Sequence, residues 1–186
     1  MRATERRSAY ALAGLLLIAA AAPVPAFAAS PKPTTADALE TCLQEQAEAE
    51  AGSGPTAGID TRRACIFKGA EYCIDRHGGA AEKSCYDEEA AAWDARLNAA
   101  YRRIRGKAKP KLFAALQAEQ RSWIAFRDAL CQRFYDAEGV TGLAQPAERA
   151  CLAKETARRA LMLDDVYADV ARVADGIAEV VPEGVI

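Results

Sequence analysis

The sequence predicts an all-α fold, a small disulfide-stapled helical bundle built on a long antiparallel helical hairpin. Apolar residues recur at steps of three and four in several segments, which is the spacing of one helical face. No segment shows the strict alternation that is typical of a half-buried strand. The 186-residue chain also contains six cysteines, an even number that suits a bridged domain.

The predicted hairpin runs from Cys85 to Cys131 and turns near Lys109-Pro110. Polar residues lie within or beside the apolar stripe of each helix, where an unpaired polar group costs about 1–3 kcal/mol. These polar residues therefore either pair with one another between the helices or face a partner. The stripes are Trp93, Leu97, Ala100, Tyr101 and Ile104 in the first helix, and Phe113, Leu116, Trp123, Ile124, Leu130, Cys131 and Phe134 in the second.

The first 28 residues have the layout of a secretory signal peptide. Three arginines precede an apolar run from Ala9 to Ala22, and Ala26-Phe27-Ala28 supplies the small residues that signal peptidase needs. A run of this length is too short to span a membrane, which takes roughly 20 residues. We expect cleavage after Ala28, a periplasmic or secreted location, and no stable membrane insertion of the mature chain.

The net charge of the mature chain indicates which classes of partner it can bind. Cleavage removes three of the 24 basic and one of the 26 acidic residues, so 21 and 25 remain and the net charge moves from −2 to −4. A nucleic-acid-binding protein shows a basic patch or stripe, so no nucleic-acid partner is expected. Modest acidity is compatible with a cationic partner.

The helices before the hairpin follow a predicted disordered leader at residues 29–35. Residues 36–51 are dominated by good helix formers and place Leu39, Cys42, Leu43 and Gln46 on one face. Thr61 is the predicted N-cap of a second helix. That helix carries Cys65, Ile66, Gly69, Cys73 and Ile74 on its buried side.

A last helix is predicted after the hairpin, with Pro146 in its first turn. Residues 176–186 lack a helical signature and are expected to form a flexible tail. We therefore predict one all-helical domain over residues 36–175. The apolar side of the last helix carries Cys151, Leu152, Leu163, Val166, Tyr167, Val170 and Val173.

The six cysteines of an exported protein predict three disulfides. Cys65 and Cys73 would lie about 12 Å apart along one helix and cannot bond each other. Fifteen connectivities are possible, so other pairings stay open. The favoured pairs are Cys42–Cys65, which would join the first two helices, Cys73–Cys85, which would span the turn at residues 77–84, and Cys131–Cys151, which would close the loop after the hairpin.

No catalytic arrangement, cofactor or metal site is predicted. The chain has one histidine, His77 in a Gly-rich turn, and it lacks GxSxG, HExxH and CxxC motifs. A cluster of carboxylates is also a feature of two-carboxylate glycosidases, but a run of acids on a helix is usually a solvated face. The acids concerned are Asp87, Glu88, Glu89 and Asp94. We therefore predict that the protein is not an enzyme.

Three segments resemble a known family. WDARLNAAY at 93–101, QRSWIAFRDALC at 120–131 and CLAKETARRALML at 151–163 are similar to the LprI-like lysozyme-inhibitor domain. The resemblance covers residues 85–166 well and residues 42–85 more loosely. It implies an exported, disulfide-bonded helical protein that binds and inhibits lysozyme non-covalently. The motif residues carry over as Trp93, Asp94, Leu97, Asn98, Tyr101, Gln120, Trp123, Arg127, Asp128, Cys131, Cys151 and Arg158.

Two interpretations remain open for nine of these motif residues, the candidates for partner binding: Trp93, Asp94, Asn98, Tyr101, Gln120, Trp123, Arg127, Asp128 and Arg158. The polar members Asn98, Gln120, Arg127 and Asp128 could form a buried network that fixes the register of the hairpin, joined by Arg158 from the last helix. Alternatively, part of the set is exposed and binds a partner. Lysozymes of the animal type are basic and have two catalytic carboxylates in a cleft, so an exposed Arg127 or Arg158 would pair with them.

A second function of a different class is an envelope adaptor. Such a module binds another periplasmic protein or a cell-wall fragment and leaves lysozyme untouched. An exposed apolar patch of more than a few hundred Å² on a helix face would favour it.

Overall fold

The computed structural model describes residues 32–53, 60–138 and 143–176. These ranges contain no strand, so the predicted all-α class is confirmed. The predicted signal peptide and residues 177–186 of the predicted tail lie outside the described residues and stay predictions. The helices are α1 (Thr35–Ser53), α2 (Lys68–His77), α3 (Glu82–Lys107), α4 (Pro110–Glu138) and α5 (Ala144–Ala174), with 3₁₀ turns at Thr61–Cys65 and Gly79–Ala81.

Both helices of the predicted hairpin, α3 and α4, pack on the long helix α5. α3 makes the most extensive contact with it, and α4 packs on it as well, while α1 and α2 pack on each other and on α3. α3 and α4 are joined by residues 108 and 109 and come close near that loop, where the ring centroids of Tyr101 and Phe113 are 5.2 Å apart. Farther from the loop, the two helices of the predicted hairpin are held apart.

This arrangement decides which stripe residues are buried. Trp93 and Ile104 of α3 are fully buried, as their spacing predicts. On α4, Leu116 is buried, but Ile124 and Phe134 are 40% and 44% exposed. The prediction that both lie on the buried stripe is wrong. Away from the loop, α4 is covered by α5 alone, so a narrower face of it is shielded from water there.

The predicted second helix is broken into two pieces. Asp60, rather than Thr61, is the N-cap, and its side chain accepts the N–H of Arg62. The 3₁₀ turn ends at Cys65, and Phe67 adopts a left-handed conformation (φ 79°) before α2 begins. A left-handed non-glycine residue is uncommon and needs support from its surroundings.

The side chain of Glu89 on α3 supplies that support. Its Oε1 accepts the N–H of Phe67 and the indole N–H of Trp93, each at 2.8 Å, and its Oε2 accepts the N–H of Ala70 at 2.7 Å. Glu89 is fully buried, so the expectation of a solvated acidic face is wrong for this residue. Three N–H donors replace the water that the carboxylate loses.

Glycine is required where α2 approaches this carboxylate. A Cβ at Gly69 would lie 2.6 Å from Glu89 Oε2 and 2.6 Å from the carbonyl oxygen of Thr35. The start of α1 is therefore part of the same corner. The side chain of Thr35, which is itself buried, donates its hydroxyl to Glu88.

A reciprocal cap closes the first turn of α1. The N–H and hydroxyl of Thr34 donate to Asp37 at 2.7 and 2.8 Å, and the N–H of Asp37 donates back to the Thr34 hydroxyl at 3.2 Å. The backbone bond, followed by the hydroxyl bond, lowers the pKa of Asp37. Thr34 therefore caps α1 and Thr35 is its first residue, although both fall within the predicted leader.

Three disulfides join neighbouring elements. Cys42–Cys65 links α1 to the first 3₁₀ turn, Cys73–Cys85 links α2 to α3, and Cys131–Cys151 links α4 to α5. These are the pairs that the sequence favours. Within the described residues, no helix is both long enough and apolar enough to cross a membrane.

Candidate functional site

An open groove with a volume of about 440 Å³ separates α3 from α4. It exists because both helices pack on α5 while a short loop joins them at one end only. Six of the nine candidate residues line it, namely Asp94, Asn98, Tyr101, Gln120, Trp123 and Arg127. The remaining lining residues are Leu97, Gln117, Arg121 and Ile124.

The α3 wall follows one helical face at steps of three and four. Asn98 donates its side-chain N–H to Asp94 at 2.8 Å, one turn away, and both residues are exposed. Tyr101 is half-buried and packs its ring against Phe113 of α4. This wall therefore presents a carboxylate, an amide and a phenol in succession.

The α4 wall is held from behind by Arg159 of α5. Only 5% of Arg159 is exposed. Its Nε donates to Gln120 Oε1 at 2.8 Å and its Nη1 donates to Glu119 at 2.7 Å. Its guanidinium carbon also lies 5.6 Å from the centroid of the Trp123 ring. Its Nη2 is buried with no hydrogen-bond partner among the described residues.

Arg127 braces the same wall. Its Nε and Nη2 donate to Asp128 at 2.9 and 2.7 Å, and its Nη1 donates to the Thr156 hydroxyl of α5 at 3.3 Å. Its guanidinium carbon lies 5.0 Å from the Trp123 centroid. Two cations within about 6 Å of one indole ring fix its position by cation–π attraction.

These contacts correct the predicted register network. Asn98 bonds within α3, while Gln120 and Arg127 bond to α5. The polar residues thus fix α4 on α5 and do not pair across the hairpin. Arg158 takes no part, because its side chain is exposed and donates to Glu155 at 2.9 Å.

Sequence reasoning missed Arg159. Its helical spacing was informative, since it lies eight residues after Cys151 and four before Leu163, both of which are buried. An arginine at such a position is buried only when most of its charge is compensated by paired donors, as Nε and Nη1 of Arg159 are. The paired arginine is therefore Arg159, the neighbour of the candidate Arg158.

The other candidates outside the groove have separate roles. Trp93 lies in the core and donates its indole N–H to Glu89. Asp128 is exposed and is held by Arg127. Neither lines the space between the two helices.

Two kinds of site were open to test in the described residues, a metal site and a pair of catalytic carboxylates. No group of His, Cys, Asp and Glu side chains in the described ranges could hold a metal ion. A glycosidase requires two carboxylates that flank its substrate, and Asp94 is the one carboxylate in the described lining of the groove. Asp87 is paired with Lys83 at 2.8 Å.

Negative charge is concentrated on one helix. Of the −4 carried by residues 29–186, α1 contributes −5 because it has five acidic and no basic residues. The rest of that chain is therefore close to neutral, at +1. All five acids are exposed, and they are Asp37, Glu40, Glu45, Glu48 and Glu50.

Comparison with known proteins gives one family. The family model described as "Lysozyme inhibitor LprI" matches residues 73–163. No curated protein and no solved structure matches the chain. The matched segment contains α3, α4 and all nine candidate residues, whereas the acidic helix α1 and the Cys42–Cys65 bridge lie outside it.

Proposed function

We propose that the protein is exported and inhibits lysozyme by non-covalent binding, because residues 73–163 match the family model of the lysozyme inhibitor LprI. The observation that carries the proposal is the family match itself. It spans both walls of the groove and the α5 residues that hold them.

The exposed motif residues are the proposed contact surface. Asp94, Asn98 and Asp128 are exposed, and the side chain of Arg158 is 52% exposed. Arg127 is less suited to a partner, because its side chain is 20% exposed and its donors are committed to Asp128 and Thr156. Arg158 is therefore a better candidate than Arg127 for an ion pair with the catalytic carboxylates of lysozyme.

The acidic helix α1 supports the choice of a basic partner. Its five exposed carboxylates create a local negative field that is stronger than the small net charge suggests. Such a field speeds the encounter with a cationic protein and weakens as salt screens it. α1 would thus guide lysozyme towards the domain without belonging to the contact surface.

A lytic assay tests the proposal. Oxidised protein would be titrated against animal-type lysozyme on cell-wall substrate, with reduced and alkylated protein as the control. We expect inhibition by the oxidised form alone, because the helical surface depends on the disulfides. An absence of inhibition at a large molar excess would contradict the proposal for that lysozyme type.

A matched pair of variants tests the surface. Arg158→Ala should weaken inhibition about ten-fold, the effect of losing a binding residue worth about 1.4 kcal/mol. Arg172→Ala is the control, because Arg172 is also well exposed on α5 (61%), bonds Asp169 in the same i,i+3 manner and lies outside the matched segment. Equal effects of the two substitutions would remove Arg158 from the proposed surface.

Export is tested by mass spectrometry of the protein recovered from the cell envelope. A mature amino terminus at Ala29 is expected from the small residues that precede it. Recovery of the chain with residues 1–28 intact would contradict cleavage.

The alternative, an envelope adaptor, is favoured by exposed apolar residues on α4. Ile124, Phe126, Phe134 and Tyr135 are 40%, 60%, 44% and 38% exposed. Exposed large apolar side chains are candidates for contact with a partner, and a contiguous patch of them marks an interaction surface. The lytic assay separates the two functions, because an adaptor leaves lysozyme active at every molar ratio.

A further inference from the structure

We propose that the groove between α3 and α4 binds a neutral glycan built of N-acetylated sugars. This binding goes beyond lysozyme inhibition and does not depend on it. The volume of about 440 Å³ falls within the range of small-molecule sites, which is roughly 300–1,000 Å³. The chemistry of the lining identifies the class of ligand.

Uncommitted hydrogen-bonding groups face a ligand from both walls. Asn98 uses its N–H on Asp94, which leaves its carbonyl oxygen free, and Gln120 accepts from Arg159, which leaves its N–H₂ group free. The side chains of Gln117 and Arg121 make no hydrogen bond to the described residues. A side-chain amide can both donate and accept, as can each hydroxyl and acetamido group of such a sugar.

Aromatic side chains supply the complementary apolar surface. Tyr101 and Trp123 stand on opposite walls and are both half-buried, and Ile124 beside Trp123 is 40% exposed. The C–H groups of a sugar ring form weakly positive apolar faces, which pack against the negative face of an aromatic ring. Aromatic rings among amides thus match a ligand that is polar at its edge and apolar on its face.

Charge argues against an ionic ligand. The lining contains Arg121, Arg127 and Asp94, and Arg127 is already neutralised by Asp128. The two remaining charges are opposite in sign. Phosphate or carboxylate recognition would require several convergent cations.

A bound peptide fits less well. An amphipathic helix requires a largely apolar groove, and strand addition requires a sheet edge. Six of the ten lining residues are polar or charged, and no strand occurs among the described residues. A polar, uncharged oligosaccharide fits this lining better than either form of peptide.

Tryptophan fluorescence gives a direct test. The chain has two tryptophans, and Trp93 is fully buried whereas Trp123 lines the groove. Acrylamide quenching should therefore report mainly on Trp123. Oxidised protein would be titrated with the N-acetylglucosamine tetramer, and we expect saturable protection of Trp123 from quenching.

Matched variants and a matched ligand sharpen the test. Gln117→Ala and Asn98→Ala should each weaken binding roughly three- to ten-fold, the effect of losing one hydrogen bond. Gln132→Ala on α4 is the control, because Gln132 lies outside the groove and bonds Asp136. The deacetylated tetramer has the same length but carries positive charge, and it should bind more weakly.

Three results would each overturn the proposal. They are an absence of protection up to about 10 mM tetramer, equal binding by the two groove variants and the native protein, and tighter binding of the cationic tetramer. No lysozyme is present in this experiment. A failure therefore counts against the glycan alone, while the lytic assay decides on inhibition.

Discussion

Glu89 is a buried carboxylate whose partners in the described chain are N–H groups rather than cations. It joins the corner where α1, α2 and α3 meet, and it supports the left-handed Phe67. Hydrogen bonds to a charged acceptor contribute about 1.5–3 kcal/mol each. This one side chain therefore determines how the amino-terminal part of the fold is held together.

We predict that Glu89→Gln lowers the free energy of unfolding by about 3 kcal/mol or more, because the amide turns an N–H₂ group towards N–H donors. Chemical denaturation followed by circular dichroism measures the loss. Glu45→Gln on the exposed face of α1 is the control and should stay within about 0.5 kcal/mol. Equal stability of the two variants would contradict the role of Glu89.

Gly69 gives a second prediction for the same corner. Gly69→Ala should destabilise the fold by about 2–3 kcal/mol, because its Cβ would lie 2.6 Å from both Glu89 Oε2 and the Thr35 carbonyl. Gly106→Ala in α3 is the control, since a Cβ there meets nothing within 4 Å. Helix propensity predicts that this control gains about 0.5–1 kcal/mol. Thermal unfolding should shift in opposite directions, and shifts of the same sign would refute the account.

Among the elements, α4 depends most on a single neighbour. α5 holds it through the Cys131–Cys151 bridge and through the polar contacts of Arg159 and Arg127. Since α3 is held away from most of α4, the position of α4 on α5 sets the shape of the groove. Changes in these contacts should therefore alter the groove before they alter the core.

We predict that Arg159→Lys increases acrylamide quenching of Trp123, because one ammonium group cannot replace the guanidinium that bonds Gln120 and Glu119 and packs by the indole. The unfolding midpoint should fall much less than it does for Glu89→Gln. Arg158→Lys, at the exposed neighbouring position, should leave quenching unchanged. Unchanged quenching in Arg159→Lys would show that the indole is held by other contacts.

The Cys131–Cys151 bridge gives a prediction for the same pair of helices. Replacing both cysteines with serine should cost about 3 kcal/mol, as expected for a closed loop of about 20 residues. Hydrogen exchange should rise most in the second half of α4 and the first turns of α5. A uniform rise that includes the start of α3 would show that the bridge stabilises the whole fold instead.

Helical periodicity predicted most of the helices, but it could not predict the break at Phe67 or which helices pack against each other. The spacing of Trp93, Leu97 and Ile104 identifies a buried face without stating that α5 covers it. Ile124 is exposed because no second helix covers that part of α4, and this depends on tertiary packing rather than on the local sequence. The break at Phe67 depends on a carboxylate 22 residues away, so local propensity gives no sign of it.

For the candidate site too, the sequence indicated the residues but not the contacts that hold them. The family motif selected Asp94, Asn98 and Tyr101 on one helix and Gln120, Trp123 and Arg127 on the next, and these six do meet around one groove. Arg159 was missed because its neighbour Arg158 carries the family resemblance. Only the packing of α5 shows which of the two arginines is buried.

For the whole molecule, the uneven charge predicts how association responds to substitution. If α1 guides a basic lysozyme, Glu45→Gln with Glu48→Gln should lower the association rate constant a few-fold at low salt. The difference should vanish at high salt, where screening removes the long-range field. Stopped-flow binding measured over a range of ionic strengths tests this expectation.

The control changes the same net charge elsewhere. Asp75→Asn with Asp136→Asn removes two exposed acids from α2 and α4. An equal loss of rate in this control would show that net charge acts rather than its placement on α1. No loss in either variant would leave steering without support while leaving inhibition itself intact.

The connectivity of the bridges has a consequence for biogenesis. The six cysteines bond in consecutive pairs along the chain, the first with the second, the third with the fourth and the fifth with the sixth, at separations of 23, 12 and 20 residues. In a chain that enters an oxidising compartment amino end first, both cysteines of one bridge emerge before those of the next. Successive oxidation in the order of emergence is then the native order. A simple thiol oxidase would be enough for maturation, and no disulfide isomerase would be needed to correct wrong pairs.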